Sequence, residues 1–273
     1  MEVLIVGAGS MGTWFGDTID VDVTFADINQ EAANRAAAMI DGNVTTIDGS
    51  DTYEAVCIAV PLRHVTEAIE EHAERANAAI LDISGSMAEP VAAMRQHAST
   101  LERVSLHPLF APPRGPGSIP VVRDRSGPVS DKILDSLRDR GNYVFETTPA
   151  DHDSAMESVQ AATHTAILSF ALAATPVPDE FETPVYSQLR TVAEQLTEGT
   201  PQVYADIQRT FDGADSVAAS AKSIAAADDE TFISLFREAA TRWQPSTEQS
   251  ANTEKDRDVN EESDETDVDA NTI

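Results

Sequence analysis

The feature that most constrains the fold is a glycine pattern at the start of the chain. A short apolar segment, residues 2–6, runs directly into G-x-G-x-x-G, whose glycines are Gly7, Gly9 and Gly12. The first glycine permits a tight turn after a strand, and the last lets the following helix pack closely on that strand. The middle glycine lets a pyrophosphate approach the backbone amides at the helix N-terminus. The pattern therefore predicts a dinucleotide-binding domain, with Met11 in the same binding loop.

An acidic residue at the end of the second predicted strand indicates which dinucleotide binds. Residues 21–26 form this strand, and Asp27 follows it, twenty positions after Gly7. A carboxylate at this place accepts hydrogen bonds from ribose hydroxyls and repels a 2′-phosphate. No arginine occurs before Arg35, so we predict NAD as the cofactor rather than NADP. Asp27 is also a candidate N-cap for a helix predicted over residues 31–40, and the two roles are compatible.

Strand-like and helix-like segments alternate up to residue 148. Strands are predicted at residues 55–60, 79–83, 103–106, 119–122 and 143–146, and helices at residues 63–76, 88–98 and 128–140. This order is typical of an α/β fold with a Rossmann-type doubly wound sheet. Ligands bind outside the carboxyl ends of the strands in such a sheet. The glycine loop should therefore share one crevice with three later strand ends: Val60 and Pro61, Ser84 to Ser86, and His107.

His107 is the candidate catalytic base. It follows an apolar strand and lies in the segment Leu106-His107-Pro108-Leu109-Phe110, where proline restricts the backbone. A rigidly held imidazole that titrates near neutrality can take a proton from an alcohol. The segment alone fits a structural turn histidine equally well. The expected position at the crevice favours the catalytic role.

The second half of the chain contains only helical patterns. Helices are predicted at residues 151–174, 183–197, 201–227 and 229–243. In the first of them His152, Met156, Gln160 and His164 recur every four residues, which gives a slowly spiralling stripe. A buried core helix and a binding site both fit this stripe, and we favour a site role for His164. Apolar surface on several of the helices predicts a homodimer through this half.

Length and charge divide the chain and exclude several partners. We predict a dinucleotide-binding domain over residues 1–148, a helical domain over 149–243 and a disordered acidic tail over 244–273. The 47 acidic and 18 basic residues give a formal net charge of −29, which repels nucleic acid and anionic membranes. A diffuse acidic surface with few lysines is typical of proteins adapted to a salt-rich cytoplasm. Without a signal segment or a long apolar run, a cytoplasmic location is expected, and no metal site is expected either.

Taken together, these segments resemble the prephenate dehydrogenase family from residue 2 to about residue 243. The similarity lies in the motifs G-A-G-x-M-G, L-H-P-L-F-x-P around His107 and H-D-x-x-M-x-x-x-Q-x-x-x-H from His152 to His164, and in three later segments that begin at Thr183, Pro201 and Phe232. The resemblance implies NAD-dependent oxidative decarboxylation of prephenate to 4-hydroxyphenylpyruvate, a step of tyrosine biosynthesis. It also implies a set of site residues: His107 as the base, Ser84 or Ser86 as its support, and Gln160, His164 and Tyr204 at the substrate.

The chain departs from the family pattern where cations are expected. The lysine that often follows the fifth strand is missing, and Ser187 and Gln195 stand where family members tend to carry arginines. Arg114 and Arg190 are therefore our candidates for binding the two carboxylates of the substrate. Arogenate dehydrogenase and an inactive NAD-binding regulatory protein are the alternatives. A β-hydroxyacid dehydrogenase is disfavoured, because residues 151–174 contain no lysine.

Overall fold

The structure is a computed structural model that describes residues 1–243 and contains one eight-stranded sheet flanked by helices. The strands are β1 (Glu2–Val6), β2 (Asp22–Ala26), β3 (Asn43–Val44), β4 (Tyr53–Ile58), β5 (Ala76–Asp82), β6 (Glu102–Leu106), β7 (Ser118–Arg125) and β8 (Tyr143–Glu146). The helices of the sheet region are α1 (Ser10–Thr18), α2 (Gln30–Ile40), α3 (Val65–His72), α4 (Ala88–His97) and α5 (Pro128–Asp139). The later helices are α6 (Pro149–Met156), α7 (Thr163–Ala173), α8 (Pro184–Thr197), α9 (Pro201–Thr210), α10 (Gly213–Ala226) and α11 (Asp229–Arg242).

The strand order confirms the predicted fold class. The strands lie in the order β3-β2-β1-β4-β5-β6-β7-β8, and all neighbours pair in parallel except β6 and β7, which are antiparallel. The four central strands β1, β4, β5 and β6 therefore end at the same edge of the sheet. The two-residue strand β3 is absent from the sequence prediction, because so short a segment carries no periodic pattern.

The core consists of two apolar layers, one on each face of the sheet. Successive side chains of a strand point to opposite faces, so Val3 and Ile5 of β1 pack in one layer and Leu4 in the other. The first layer includes Phe15 from α1, and the second includes Ile69 from α3. Burial on both faces explains why these strands read as continuous apolar runs rather than alternating ones.

The glycine loop connects β1 to α1, and its backbone packs tightly against the start of that helix. Gly7 has a φ of +104°, a conformation that side chains rarely tolerate. A Cβ atom on Gly12 would lie 2.1 Å from the carbonyl oxygen of Gly7 and 3.2 Å from Cβ of Ala59. The third glycine of the pattern is therefore required by the packing of helix on strand.

The helix predicted at residues 151–174 is one continuous helical stretch with a change of winding in its middle. Between α6 and α7, Glu157–Ala162 forms a π-helical segment, in which the hydrogen bonds run from i to i+5. We call the stretch over residues 149–173 the histidine helix. The change of winding carries no sequence signal that was used above.

The prediction of one long helix over residues 201–227 is wrong. Helix α9 ends at Thr210, Phe211 has an extended backbone, and α10 begins at Gly213. A Cβ atom on Gly213 would lie 2.1 Å from the carbonyl oxygen of Glu157 and 2.6 Å from the amide nitrogen of Ala162. The chain therefore breaks where its backbone approaches the π-helical segment, a contact between segments far apart in the sequence.

Two compact units divide the chain, Met1–Val217 and a second that begins at Ala218. The predicted domain boundaries at residues 148 and 243 stay predictions. Strand β8 ends at Glu146, and every element from Pro149 to Arg242 is helical. The predicted disordered tail, residues 244–273, lies outside the described residues. Within residues 1–243 no helix is long and apolar enough to cross a membrane.

The close approach at Gly12 yields a stability prediction. We expect Gly12→Ala to lower the free energy of unfolding by about 1–3 kcal/mol, the usual cost of overpacking. Gly9→Ala is the matched control, since a Cβ atom there meets nothing within 4 Å. Denaturant titration of both variants measures the difference. Equal losses in the two variants would contradict the assignment of Gly12 to helix packing.

Candidate functional site

The carboxyl ends of β1 and β4 form the predicted cofactor cradle. A Cβ atom on Gly7 would lie 2.4 Å from the carbonyl oxygen of Ala59 and 3.2 Å from the amide nitrogen of Val60, so the turn that holds Val60 and Pro61 touches the glycine loop. Gly9 precedes the first residue of α1, and the space that its Cβ would fill is open. These features fit a pyrophosphate at the helix N-terminus.

Two cofactor candidates play structural parts as well. The Met11 side chain is partly buried against the sheet core. The carboxylate of Asp27 accepts hydrogen bonds from the amides of Ala8 and Asn29, both at 2.7 Å, so it is fixed beside the glycine loop and keeps further lone pairs for ribose hydroxyls. The alternative role of Asp27 as the cap of α2 is wrong, because the Asn29 side chain caps that helix.

His107 lies at the carboxyl end of β6, enclosed by neighbouring elements. Only 7% of its surface is exposed, and its backbone amide donates to the carbonyl of Pro120 in β7. Its Nδ1 is 2.9 Å from Nε2 of His152, and its Nε2 is 3.4 Å from Nε2 of the Gln160 side chain. A Cβ atom on Gly85 would lie 3.8 Å from the same Nε2. The structure therefore brings the predicted base, the serine turn and the histidine helix together.

Burial determines the charge of this imidazole. Removal from water and, to a smaller extent, the nearby His152 lower the pKa of His107 to about 3, whereas Asp153 acts in the opposite direction. The ring is therefore neutral at neutral pH. A neutral imidazole has one nitrogen with a free lone pair, which is the form that accepts a proton.

The two candidate serines, Ser84 and Ser86, differ in the hydrogen bonds that their hydroxyl groups form. The Ser84 hydroxyl is 2.5 Å from a carboxyl oxygen of Asp82 and 2.9 Å from the carbonyl oxygen of Ser86. It is thus tied into its own turn, which leaves the buried Ser86 as the stronger candidate for contact with a ligand. Burial raises the pKa of Asp82 to about 6, although the hydrogen bonds from Ser84 oppose this change.

The π-helical segment keeps the histidine stripe on one face. In a regular α-helix, residues four apart drift by about 40° per step. An i to i+5 segment has more residues per turn, so it offsets this drift in the middle of the stripe. As a result His152 and Gln160, eight residues apart, both reach His107, while Met156 between them packs in an apolar cluster beside Leu109.

His164 and Tyr204 lie further along the same helical face. Their rings meet edge to face with centroids 4.9 Å apart, and partial burial lowers the pKa of His164. Among the described residues, Nδ1 of His164 and Oε1 of Gln160 are buried and have no hydrogen-bond partner. Buried polar atoms without partners are rare in proteins, so both atoms are candidates for contact with a bound ligand.

The two arginines predicted for the substrate differ in their surroundings. Arg190 forms ion pairs with Glu182 at 3.1 Å and Glu194 at 4.0 Å, so its charge is already neutralised by neighbours. Arg114 lies exposed in the 3-10 turn Pro112–Arg114, a few residues after His107. The pairing of Arg190 makes it the weaker of the two candidates.

Sequence reasoning missed Arg63 and gave Asp153 no role. Arg63 lies in the turn after Pro61, and its guanidinium is 3.1 Å from the buried carboxylate of Asp206 on α9. In the sequence, Arg63 stands at the start of the helix predicted over residues 63–76, where nothing signals a role for its side chain. The Asp153 carboxylate accepts a hydrogen bond from His152 at 2.8 Å, and the adjacent His-Asp pair in the sequence was the available signal.

The chain is similar to a known protein family and to several related proteins. Residues 17–118 match the family model described as prephenate dehydrogenase, nucleotide-binding domain. A 4-amino-4-deoxyprephenate dehydrogenase from Streptomyces pristinaespiralis is 28% identical over 265 residues, which cover 86% of this chain and 88% of that protein. A probable arogenate/prephenate dehydrogenase from Methanocaldococcus jannaschii is 23% identical over 88% of this chain, and the chain spans 60% of that relative.

Solved structures show the same fold. The prephenate dehydrogenase of Aquifex aeolicus, in complex with hydroxyphenyl propionate and NAD+, superimposes with a TM-score of 0.64 at 18% identity and covers 89% of this chain and 96% of its own. The arogenate dehydrogenase of Synechocystis superimposes with a TM-score of 0.57 at 17% identity and covers 94% of this chain and 99% of its own.

The sheet, the glycine loop and the enclosed imidazole define a dehydrogenase with a Rossmann-type nucleotide-binding domain. The motifs, the matched nucleotide-binding domain and the related enzymes narrow this class further. Residues 17–118 match the nucleotide-binding domain of the prephenate dehydrogenase family, and the chain as a whole is similar to prephenate and arogenate dehydrogenases.

The buried carboxyl of Asp82 yields a prediction on stability and pH. Its pKa rises from the ordinary 3.8 to about 6, so between these values the unfolded state loses the proton first. Ionisation then opposes folding, by about 3 kcal/mol at most above pH 6. We expect Asp82→Asn, which stays neutral, to gain stability relative to the parent protein as the pH rises from 5 to 8.

Thermal or denaturant unfolding at several pH values measures this trend. Asp17→Asn, on the exposed side of α1, provides the background for removing one acidic charge. A difference between Asp82→Asn and the parent protein that stays constant with pH would contradict the prediction.

Proposed function

We propose that the protein is an NAD-dependent prephenate dehydrogenase that converts prephenate to 4-hydroxyphenylpyruvate and carbon dioxide. The observation that carries the proposal is the neutral, enclosed imidazole of His107 at the same sheet edge as the glycine loop. A base held beside the nucleotide-binding loop is what oxidation of an alcohol requires. The match of residues 17–118 to the nucleotide-binding domain of prephenate dehydrogenases supports the class of reaction, and the NAD+ of the Aquifex structure supports the cofactor.

The reaction needs little from the protein beyond a base and correct placement. The ring hydroxyl gives its proton to Nε2 of His107 as the ring carbon that bears it loses a hydride. NAD supplies the hydride acceptor when bound. Loss of the ring carboxylate as carbon dioxide then produces an aromatic ring, and this aromatisation makes the step favourable. Gln160 lies beside His107 and can orient the hydroxyl, and we assign a supporting role to the buried Ser86, which follows Gly85 in the turn next to this ring.

Binding a dianionic substrate to a strongly acidic chain requires local positive charge. Arg63 and Arg114 lie on segments that follow β4 and β6, whose ends share the crevice edge. Arg63 is paired with Asp206, and its side chain is 41% exposed, so it retains access to solvent and ligand. We therefore assign the carboxylates to these two arginines ahead of Arg190, because they follow strands that end at the crevice edge, whereas Arg190 lies on α8 and is paired with two glutamates.

Two related substrates are the alternatives. Arogenate carries an amine in place of the side-chain keto group, and the Methanocaldococcus relative is described by both names. 4-Amino-4-deoxyprephenate carries an amine in place of the ring hydroxyl, and the Streptomyces relative at 28% identity favours this substrate as the second candidate. An NAD-binding regulatory protein without turnover is the third alternative.

Turnover of the three compounds, measured side by side as NADH formation, tests the proposal. We expect prephenate to give the highest kcat/KM. We expect His107→Gln to reduce kcat by a factor on the order of 10² to 10⁴, the usual contribution of a general base, while NAD still binds. His97→Gln, on α4, is the matched control. A severalfold loss in His107→Gln would refute its role as base, and binding of NAD without any turnover would favour the regulatory protein.

The choice of cofactor yields a second test. We expect kcat/KM with NAD to exceed that with NADP, because the fixed carboxylate of Asp27 repels a 2′-phosphate. Asp27→Asn keeps a hydrogen-bond acceptor and removes the charge, so it should shift the preference toward NADP by about tenfold. Asp22→Asn, exposed at the start of β2, controls for the loss of one charge. Preference for NADP in the parent protein would overturn the assignment of NAD.

The predicted homodimer also remains a proposal. Several apolar side chains of the helical half are exposed, among them Leu172 and Val185 in the first unit and Phe236 in the second. Exposed apolar side chains favour an interface with a second copy of the chain. The molar mass measured by light scattering distinguishes a dimer from a monomer.

A further inference from the structure

A chain of three side chains ends at the predicted base. The Asp153 carboxylate is 2.8 Å from Nδ1 of His152, and Nε2 of His152 is 2.9 Å from Nδ1 of His107. Both imidazoles are almost fully buried, with 3% and 7% of their surface exposed. From this geometry we infer that Asp153 and His152 are positioning residues, which hold His107 as the tautomer with hydrogen on Nδ1 and a free lone pair on Nε2. The inference rests on the proposed role of His107 as base.

Asp153 determines which atom donates in each hydrogen bond of this chain. Its two carboxyl oxygens accept the amides of Met87 and Ala88, each at 3.0 Å, at the start of α4. Partial burial alone would raise the pKa of Asp153, but the hydrogen bonds from His152 and from these amides keep it below its ordinary value. An ionised carboxylate only accepts, so Nδ1 of His152 carries the hydrogen between them.

The neutral form of His152 then has its lone pair on Nε2. That nitrogen faces Nδ1 of His107, so Nδ1 of His107 must donate. The lone pair of His107 is left on Nε2, the nitrogen beside Gly85 and the amide nitrogen of Gln160. The side-chain NH2 group of Gln160 is a hydrogen-bond donor, so its position favours an acceptor lone pair on Nε2 of His107. Two neighbours on different sides of the ring thus indicate the same tautomer.

This arrangement matters for the reaction because only the lone pair on Nε2 can take the substrate proton. In the other tautomer Nε2 would carry hydrogen and could not act as a base. Once Nε2 accepts the proton, the imidazolium is connected through His152 to the Asp153 carboxylate, which stabilises the positive charge. The carboxylate therefore acts on the base through two successive hydrogen bonds and does not contact the substrate.

The tautomer is measurable without any assay of activity. The full-length protein, labelled with ¹⁵N-histidine, is examined by long-range ¹H–¹⁵N correlation at pH 7 to 8, and the His107 signals are assigned as those missing in His107→Gln. We expect a protonated Nδ1 and an unprotonated Nε2 on His107. Hydrogen on Nε2, or an equal mixture of tautomers, would overturn the inference.

Kinetics of matched variants provide the second measurement. We expect Asp153→Ala to lower kcat by a factor on the order of 10², with KM and NAD affinity within about twofold of the parent protein. His152→Gln places an acceptor near the original Nε2 and should recover most of kcat, whereas His152→Leu should not. Glu157→Gln removes an exposed charge from the same helical stretch and should change nothing. Equal activity of the Gln and Leu variants would overturn the role of His152.

The two proposals fail separately. A protein that shows the expected tautomer but turns over none of the three substrates would overturn the proposed function and support the tautomer. A protein that turns over prephenate with His107 in the other tautomer would do the reverse. If a His152 variant does not fold, the measurement on the parent protein still decides the tautomer.

Discussion

Parallel pairing of β1, β4, β5 and β6 is the constraint on which the site depends. Because these four strands are adjacent and run in one direction, the glycine loop, the Val60 turn, the serine turn and His107 all lie at one edge. Each of these segments is unremarkable in isolation. Their common edge converts them into a crevice that can bind a dinucleotide on one side and hold a base on the other.

The histidine helix completes this crevice by covering His107. Burial removes the imidazole from water and keeps it neutral, and the same helix supplies the side chains that hydrogen-bond to both ring nitrogens. The change to π-helical winding at Glu157–Ala162 is what allows His152 and Gln160 to reach one ring. π-Helical segments often occur at functional sites, and here the local cost of irregular winding has a clear geometric result.

The charge of this site differs from that of the rest of the molecule. The chain has a net charge of −29, whereas the interior of the site holds the neutral ring of His107 and the carboxyl of Asp82, whose pKa is raised by burial. Positive charge near the crevice comes from few side chains, and the Arg63–Asp206 ion pair shows that even these are partly compensated. The proposed function assigns substrate recognition to a small number of polar contacts, among them the unpartnered atoms of Gln160 and His164.

Local sequence was sufficient to predict the class of sheet, the glycine loop, the position of His107 at a strand end and an acidic residue at the end of β2, because each follows from residues close together in the chain. The missing elements depended on distant contacts. The break after Thr210 arises where Gly213 meets the backbone of residues 157 and 162, and the assignment of the α2 cap to Asn29 depends on how Asp27 binds the glycine loop.

The sequence by itself determined that a strand, a glycine turn and a helix begin a nucleotide-binding domain, and that a histidine with prolines after it ends a central strand. Only the tertiary structure decided what surrounds that histidine. Asp153, His152 and His107 are brought into one hydrogen-bonded chain by the packing of a helix on a strand end, and separation of 45 residues between the two histidines leaves no local pattern to read. Hydrogen-bond direction, burial and the resulting charge of the base are properties of that packing.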